Sequence, residues 1–198
     1  MKNLNLLKLK EANKYFKRNP NVQKNNYGII NLCSINNLKP KSILEIGCAN
    51  GIRLNDYSNI LRSKTNYGID VSSYAIKNAK KKFNRLNFLK ISSLEINKIR
   101  KNFDLIICGF FLYMLDREEI FNQFNLIYKK LNENGYLIIE DFDPLFKHTN
   151  NSSHNKNLKS FKMSYDHFLE ESGLFKTIYK IRQNSYFLKK KESIKKFR

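Results

Sequence analysis

The chain has 198 residues, 41% of them hydrophobic, and its 37 lysines and arginines outweigh 17 aspartates and glutamates to give a net charge of +20. That length fits one domain, and no apolar run approaches the roughly 18 residues needed to cross a bilayer. Cys33, Cys48 and Cys108 form no Cys-x-x-Cys pair and cannot all be disulfide-bonded; with no evident signal peptide at the Leu-rich N-terminus, a reducing, cytoplasmic location is expected.

Residues 4–18 read as an amphipathic helix with Leu4, Leu7, Tyr15 and Phe16 available for one face, and Asn19-Pro20 breaks it. A second helix over 22–36 carries Ile29, Ile30, Leu32 and Cys33, and Lys39-Pro40-Lys41 leads into a strand over 42–46. From there strands and helices alternate, as an α/β sheet requires. The pattern predicts a helix over 52–63, a strand over 66–69, and a helix from Ser72 or Ser73, both good N-caps, to Phe83. Strands follow over 87–90 and 103–108, the latter an unbroken apolar run typical of burial on both faces. A helix over 116–131 is expected to end in left-handed fashion at Asn134-Gly135, before a strand over 136–140. Residues 142–160 are polar and read as a loop; a helix over 164–172 and two β-like segments, 175–181 and 185–188, close the chain. No repeat or flexible linker divides it.

The most informative stretch is Ile43-Leu44-Glu45-Ile46-Gly47-Cys48-Ala49-Asn50-Gly51, an apolar strand ending in a carboxylate and a glycine loop. A second strand, Tyr67-Gly68-Ile69, then ends in Asp70. A βαβ start of this kind builds a nucleotide pocket at the carboxyl ends of adjacent parallel strands. Glycines let the backbone turn tightly against the ligand, and the terminal carboxylate can accept hydrogen bonds from ribose hydroxyls. A dinucleotide dehydrogenase would need Gly-x-Gly-x-x-Gly; here the spacing is Gly-x-x-x-Gly, with Leu54 where the third glycine should fall.

With its flanks, over roughly residues 40 to 140, the acidic-x-Gly-x-x-x-Gly pattern resembles the class I S-adenosylmethionine-dependent methyltransferases. The resemblance implies a Rossmann-like, seven-stranded, mostly parallel sheet with helices on both faces and a C-terminal antiparallel hairpin. It implies S-adenosyl-L-methionine as cofactor and S-adenosyl-L-homocysteine as product. Glu45 would support the loop or the methionine end, and Gly47 and Gly51 would let the loop pass beneath the amino-acid part. Cys48, Ala49 and Asn50 would contact through backbone, Asp70 would take the ribose hydroxyls and Val71 would pack on the adenine. After the third strand the family commonly has an acidic residue for the adenine amino group; here Ser92 and Ser93 stand instead. The methionine moiety would lie near Cys108, Gly109 and Phe110. Residues 1–37 would form a helical lid, with Tyr15, Phe16 and Tyr27 as closing aromatics, on a core over 38–198 with an acceptor loop at about 141–162.

Methyl transfer is an in-line displacement, so much of its catalysis is positioning; a hydroxyl acceptor also wants a general base. Candidates near the ends of the fourth and fifth strands are Tyr113, Glu140, Asp141, Asp143, His148 and His154, with Tyr113 where many small-molecule enzymes of this kind have a histidine. Each has a plainer reading: Tyr113 as packing, Asp141 and Asp143 as a turn before Pro144, the histidines as solvated loop residues. His148 and His154 have no third ligand at convincing spacing, so no metal site is expected. Residues 141–165 also look like methyltransferases of bacterial surface-sugar gene clusters, which suggests a small polar acceptor such as a sugar or sugar nucleotide. RNA is the rival acceptor on charge, although Cys108-Gly109-Phe110-Phe111 stands where base amino-methyltransferases carry Asn/Asp-Pro-Pro-Tyr/Phe. A third reading is a cofactor-binding subunit without an acceptor site. Oligomeric state is not legible.

Overall fold

The computed structural model describes residues 10–19, 28–181 and 186–191. Helices α1 (Ala12–Arg18) and α2 (Gly28–Ile35) precede β1 (Ser42–Ile46), α3 (Ile52–Ile60), β2 (Thr65–Ile69), α4 (Ser73–Lys82) and β3 (Asn87–Leu89). A 3-10 helix (Ser93–Lys98) leads to β4 (Phe103–Gly109), then α5 (Ile120–Lys130), β5 (Leu131–Glu140), β6 (His148–Asn151) and β7 (Lys159–Lys162). Helix α6 (Asp166–Glu171) and strands β8 (Phe175–Ile181) and β9 (Tyr186–Lys191) complete the described chain. Seven strands form one sheet in the order β3-β2-β1-β4-β5-β9-β8, parallel from β3 through β5 and closed by the antiparallel β8–β9 pair. The order reverses between β1 and β4, so a crevice opens at their carboxyl ends, where ligands of such sheets bind. No described helix is long and apolar enough to cross a membrane.

Helices cover both faces because β4 is apolar on both. Ile106 and Cys108 face one buried cluster with Leu44, Ile46, Phe124 and Ile127. Leu105 and Ile107 face the other, with Ile29, Leu32, Leu54 and Tyr57. Truncating Leu54, fully buried at the centre of the second cluster, to alanine is expected to lower stability by about 3 kcal/mol through lost burial and the cavity left behind. A shifted urea midpoint with an unchanged slope checks it.

Three expectations are corrected. Asn134-Gly135 does not cap a helix: α5 stops at Lys130, and Leu131 is already extended and paired with Phe103. Asn134 uses its left-handed conformation (φ 58°) in a bulge inside β5, where the register jumps from Phe103–Leu131 to Leu105–Tyr136. The segment 142–160 is not all loop: β6 pairs with β7, and since every β6 residue is exposed, no apolar alternation announced it. The last strand runs on to Lys191; Lys189 is buried and donates to Thr177 Oγ1, and Lys191 donates to the Leu131 carbonyl at 2.9 Å. The 4–9 part of the first expected helix with Leu4 and Leu7, the 22–27 part of the second, Tyr27 and Ser185 lie outside the described residues.

Candidate active site

The glycine loop is held by its neighbours. The N–H groups of Gly47 and Cys48 both donate to the Ile69 carbonyl at 2.9 and 3.0 Å, and Gly51 N–H donates to Cys48 O at 2.9 Å. Gly47 (φ 77°), Ala49 (φ 45°) and Gly51 (φ 75°) all take left-handed backbone. A Cβ on Gly47 would come within 3.2 Å of the Phe111 Cβ, so the loop passes close beneath the turn after β4.

Asp70 closes this arrangement. One carboxyl oxygen accepts from Ala49 N at 3.0 Å and the other from Ser72 N at 2.8 Å, tying the glycine loop to the start of α4. Burial raises its pKa, while the N–H groups of Ser72, Ala49 and Val71 pull it partly back. Ser72 caps α4 by accepting from Ala75 N, and its hydroxyl donates to Asn13 Oδ1 at 2.7 Å; Tyr74 N donates to the same oxygen at 3.1 Å. Asn13 thereby fastens α1 over the end of β2.

A buried ion cluster beneath the loop escaped the sequence reading. Arg53, in the first turn of α3, donates to Glu45 Oε1 at 2.8 Å, lies 3.6 Å from Glu140 Oε2 and reaches the Gly109 carbonyl at 3.4 Å. Glu45, Arg53 and Glu140 are 0, 5 and 3% exposed. Burial opposes the Arg53 charge, but the two carboxylates outweigh it and raise its pKa; burial raises that of Glu45, against the pull of Arg53. The available signal was a pair of carboxylates ending two apolar strands, which requires a cation between them.

One cavity of about 450 Å³ runs across the carboxyl ends of the strands from β3 to β5. Ile69, Asp70, Val71, Ile91 and Ser93 line one end, and Gly47, Ala49, Arg53 and Gly109 the middle. Phe110, Phe111, Tyr113, Met114, Leu115 and Phe142 line the other end, with Ala12, Tyr15 and Phe16 of α1 alongside. Of the cofactor candidates, Gly47, Ala49, Asp70, Val71, Ser93, Gly109 and Phe110 therefore face the cavity. Ser92 does not: it is buried, accepts from Leu94 N and donates its N–H to Glu95, a complete cap for the 3-10 helix. Glu45 acts on Arg53, and the fully buried Cys48 and Cys108 have thiols that burial pushes well up. Asn50 accepts from Ile52 N at 3.4 Å and lines a separate cleft; Gly51 meets Phe88 instead of the cavity.

Among the acceptor-side candidates only Tyr113 lines the cavity. Burial, with smaller effects from Tyr15 and Asp141, raises its phenol, which favours the protonated form. Asp141 is buried and accepts from Tyr113 N at 3.2 Å and Phe142 N at 2.8 Å, so it shapes the turn behind the cavity wall. Asp143 pairs with Lys180 at 3.5 Å, and His148 and His154 are exposed. Among the described residues no group of three or more His, Cys, Asp or Glu could hold a metal.

Burial pushes Asp141 up to about 7, partly offset by the N–H groups of Phe142, Tyr113 and Leu112. On this group the folded state keeps a proton that the unfolded chain releases near pH 4, so its contribution to stability falls as pH rises from about 4 to 7, by at most about 1.4 kcal/mol per pH unit. Asp141→Asn is expected to flatten that slope, read from urea midpoints of both proteins between pH 5 and 8.

A parallel sheet reversing at β1/β4, a glycine loop after β1 and a carboxylate at the tip of β2 define a Rossmann-like nucleotide-binding protein of the class I methyltransferase kind. The chain belongs to the methyltransferase domain family, whose model matches residues 37–191. It is 25% identical over 173 residues to a provisionally named methyltransferase of Invertebrate iridescent virus 6; the match covers 79% of this chain but 64% of that relative. The fold is shared with 1,6-didemethyltoxoflavin-N1-methyltransferase of Burkholderia thailandensis, solved with S-adenosylhomocysteine (TM-score 0.72, 12% identity, 92% of this chain and 86% of that one). It is also shared with a sugar N-methyltransferase from Streptoalloteichus sp ATCC 53650 (TM-score 0.68, 11% identity, 91% and 92%). The cofactor of this class is S-adenosylmethionine, and the residues present fit it: a glycine loop running close beneath Phe111, a carboxylate facing the cavity, and an apolar slot from Ile69, Val71 and Ile91.

Proposed function

We propose that the chain transfers the methyl group of S-adenosylmethionine to a nitrogen or oxygen of a small acceptor held over the ends of β4 and β5. When bound, the cofactor supplies an electrophilic methyl on a positively charged sulfur. Asp70 accepts the ribose hydroxyls, Ile69, Val71 and Ile91 flank the adenine, and Ser93 lies at its polar edge. The backbone of Gly47, Ala49 and Gly109 cradles the amino-acid end, with Arg53 bracing that floor from below. Helix α1 serves as a lid, and the protein works in the cytoplasm, as its free, buried cysteines favour.

The observation that carries this reading is the continuity of the cavity: it runs from Asp70 past the glycine loop to Phe142, so one cleft has room for donor and acceptor together. No carboxylate or imidazole of the described residues faces its acceptor end. The transfer then relies on positioning and desolvation of an atom that is already nucleophilic, a neutral nitrogen or an acidic hydroxyl.

Calorimetry with S-adenosylhomocysteine tests the site. Asp70→Ala is expected to weaken binding about 100-fold, since two charge-assisted hydrogen bonds are lost. Gly47→Trp should abolish it, and unchanged affinity in both variants would refute the assignment. RNA is the second reading, favoured by the charge of +20 and by a cleft beside Asn50 that is lined by Lys17, Lys81 and Lys82. Its signature is an RNA affinity that falls steeply with salt.

A further inference from the structure

The acceptor end of the cavity is more aromatic than a sugar site needs, and a lysine outside its lining packs on one of its rings. Tyr113 meets Phe142 edge-on (ring centroids 5.1 Å apart, 90° between planes), and so does Phe110 (5.7 Å, 76°). Edge contacts of this kind set the edge of one ring on the face of another, and Phe110 remains 44% exposed. Phe110 is also held at φ 50°, a conformation that disfavours a bulky side chain by roughly 1–2 kcal/mol. Its N–H donates to the Glu140 carbonyl at 2.7 Å, which fixes that backbone and presents the ring. Strain of this sort, kept at the end of a central strand beside a cavity, points to a ring used for contact.

Hydrogen-bonding capacity here is small. Among the side chains lining this end, only the hydroxyls of Tyr15 and Tyr113 are polar, because Asp141 is turned into the protein. A sugar would bury several hydroxyls against carbon, at about 1–3 kcal/mol for each left unpaired. A flat ring would bury nothing that needs a partner. Lys162, on β7, places its Nζ 4.0 Å over the Phe142 ring and makes no ion pair among the described residues. Phe142 thus carries a positive charge against it while lining the cavity.

We propose that the acceptor is a flat aromatic or heteroaromatic acid, its ring packed against Phe110 and Phe142 and its anionic group directed to Lys162. This rests on the methyltransferase reading above. The methyl goes to a ring nitrogen, an amino group or an acidic hydroxyl; the acceptor atom supplies the electron pair, the sulfur leaves with the pair of its broken bond, and any displaced proton goes to solvent.

The test uses the full chain and calorimetry. S-adenosylhomocysteine is titrated first, then 3-hydroxyanthranilate, ortho-aminophenol (the same ring without its carboxylate) and glucosamine 6-phosphate into the saturated protein. The expected order is the aromatic acid tightest, the aminophenol about tenfold weaker, and the sugar phosphate weakest. Lys162→Ala should bring the acid down to the aminophenol and leave S-adenosylhomocysteine affinity unchanged, which also shows that the variant is folded. Phe142→Leu should weaken both aromatic probes alike. Tighter binding of the sugar phosphate, no binding of the aromatic acid, or indifference of its affinity to Lys162→Ala overturns the inference with the methyltransferase reading intact. Failure of S-adenosylhomocysteine to bind overturns that reading itself.

Discussion

Arg53→Met is expected to lower stability by about 4 kcal/mol at pH 7, because it leaves two buried carboxylates without their cation. The guanidinium touches Glu45 and Glu140 and also the Gly109 carbonyl, and none of the three charged groups has more than a few per cent of its surface in water. A hydrophobic side chain fills much of the space but cannot offset either negative charge. The deficit should shrink as pH falls from 7 towards 5. Without Arg53 the pKa of Glu45, already raised by burial, rises further; a raised carboxylate favours folding at low pH, and that advantage is lost as pH rises through its folded pKa. Arg53→Lys should recover part of the loss, since it restores charge but not the forked donor that reaches two carboxylates and a carbonyl. Chemical denaturation of the three proteins at pH 5 and 7 checks this. A loss below about 1 kcal/mol at pH 7 would mean that water or another cation serves the carboxylates.

Which parts of the site could be read from sequence follows from the range of the forces involved. The glycine loop and Asp70 were legible because a tight turn between β1 and α3 needs glycine locally, and because a carboxylate at the tip of β2 can only meet what lies at the tip of β1. Arg53 was not, since its meaning depends on Glu140, brought beside it by the pairing of β4 with β5. Ser92 and Ser93 are adjacent and chemically identical. Only the 3-10 helix, with Glu95 completing the cap, decides that the first is consumed by structure and the second faces the cavity. The same limit hid β6, whose side chains are all exposed, and ended the last expected strand at residue 188, although Lys189 and Lys191 pack against β8 and α5. The aromatic end of the cavity shows it once more: His148 and Asp143 do not line it, and beside Phe110 its wall is built from Phe111 and Phe142, which no local pattern singled out.

The loop's second glycine should be nearly as intolerant as Arg53, for a steric reason. Gly51 has φ 75°, and a Cβ there would lie 2.4 Å from Phe88 Cζ and 2.6 Å from Cε1. The Phe88 ring lies across both Gly51 and Gly68, where a Cβ would come within 2.9 Å of it and 2.8 Å of the Cys48 sulfur. The ring is buried on β3 and has little room to retreat. Gly51→Ala is therefore expected to lower stability by about 3 kcal/mol, roughly 1 from the left-handed backbone and the rest from overpacking. Phe88→Leu shortens the obstructing group, so the double variant should lose about 1–2 kcal/mol less than the sum of the two singles. Gly51→Ala should also weaken S-adenosylhomocysteine, because the turn that must shift carries Ala49, whose N–H is held by Asp70. Strict additivity of the two substitutions in urea denaturation would show that the backbone angle, and not the ring of Phe88, is what demands glycine at this position.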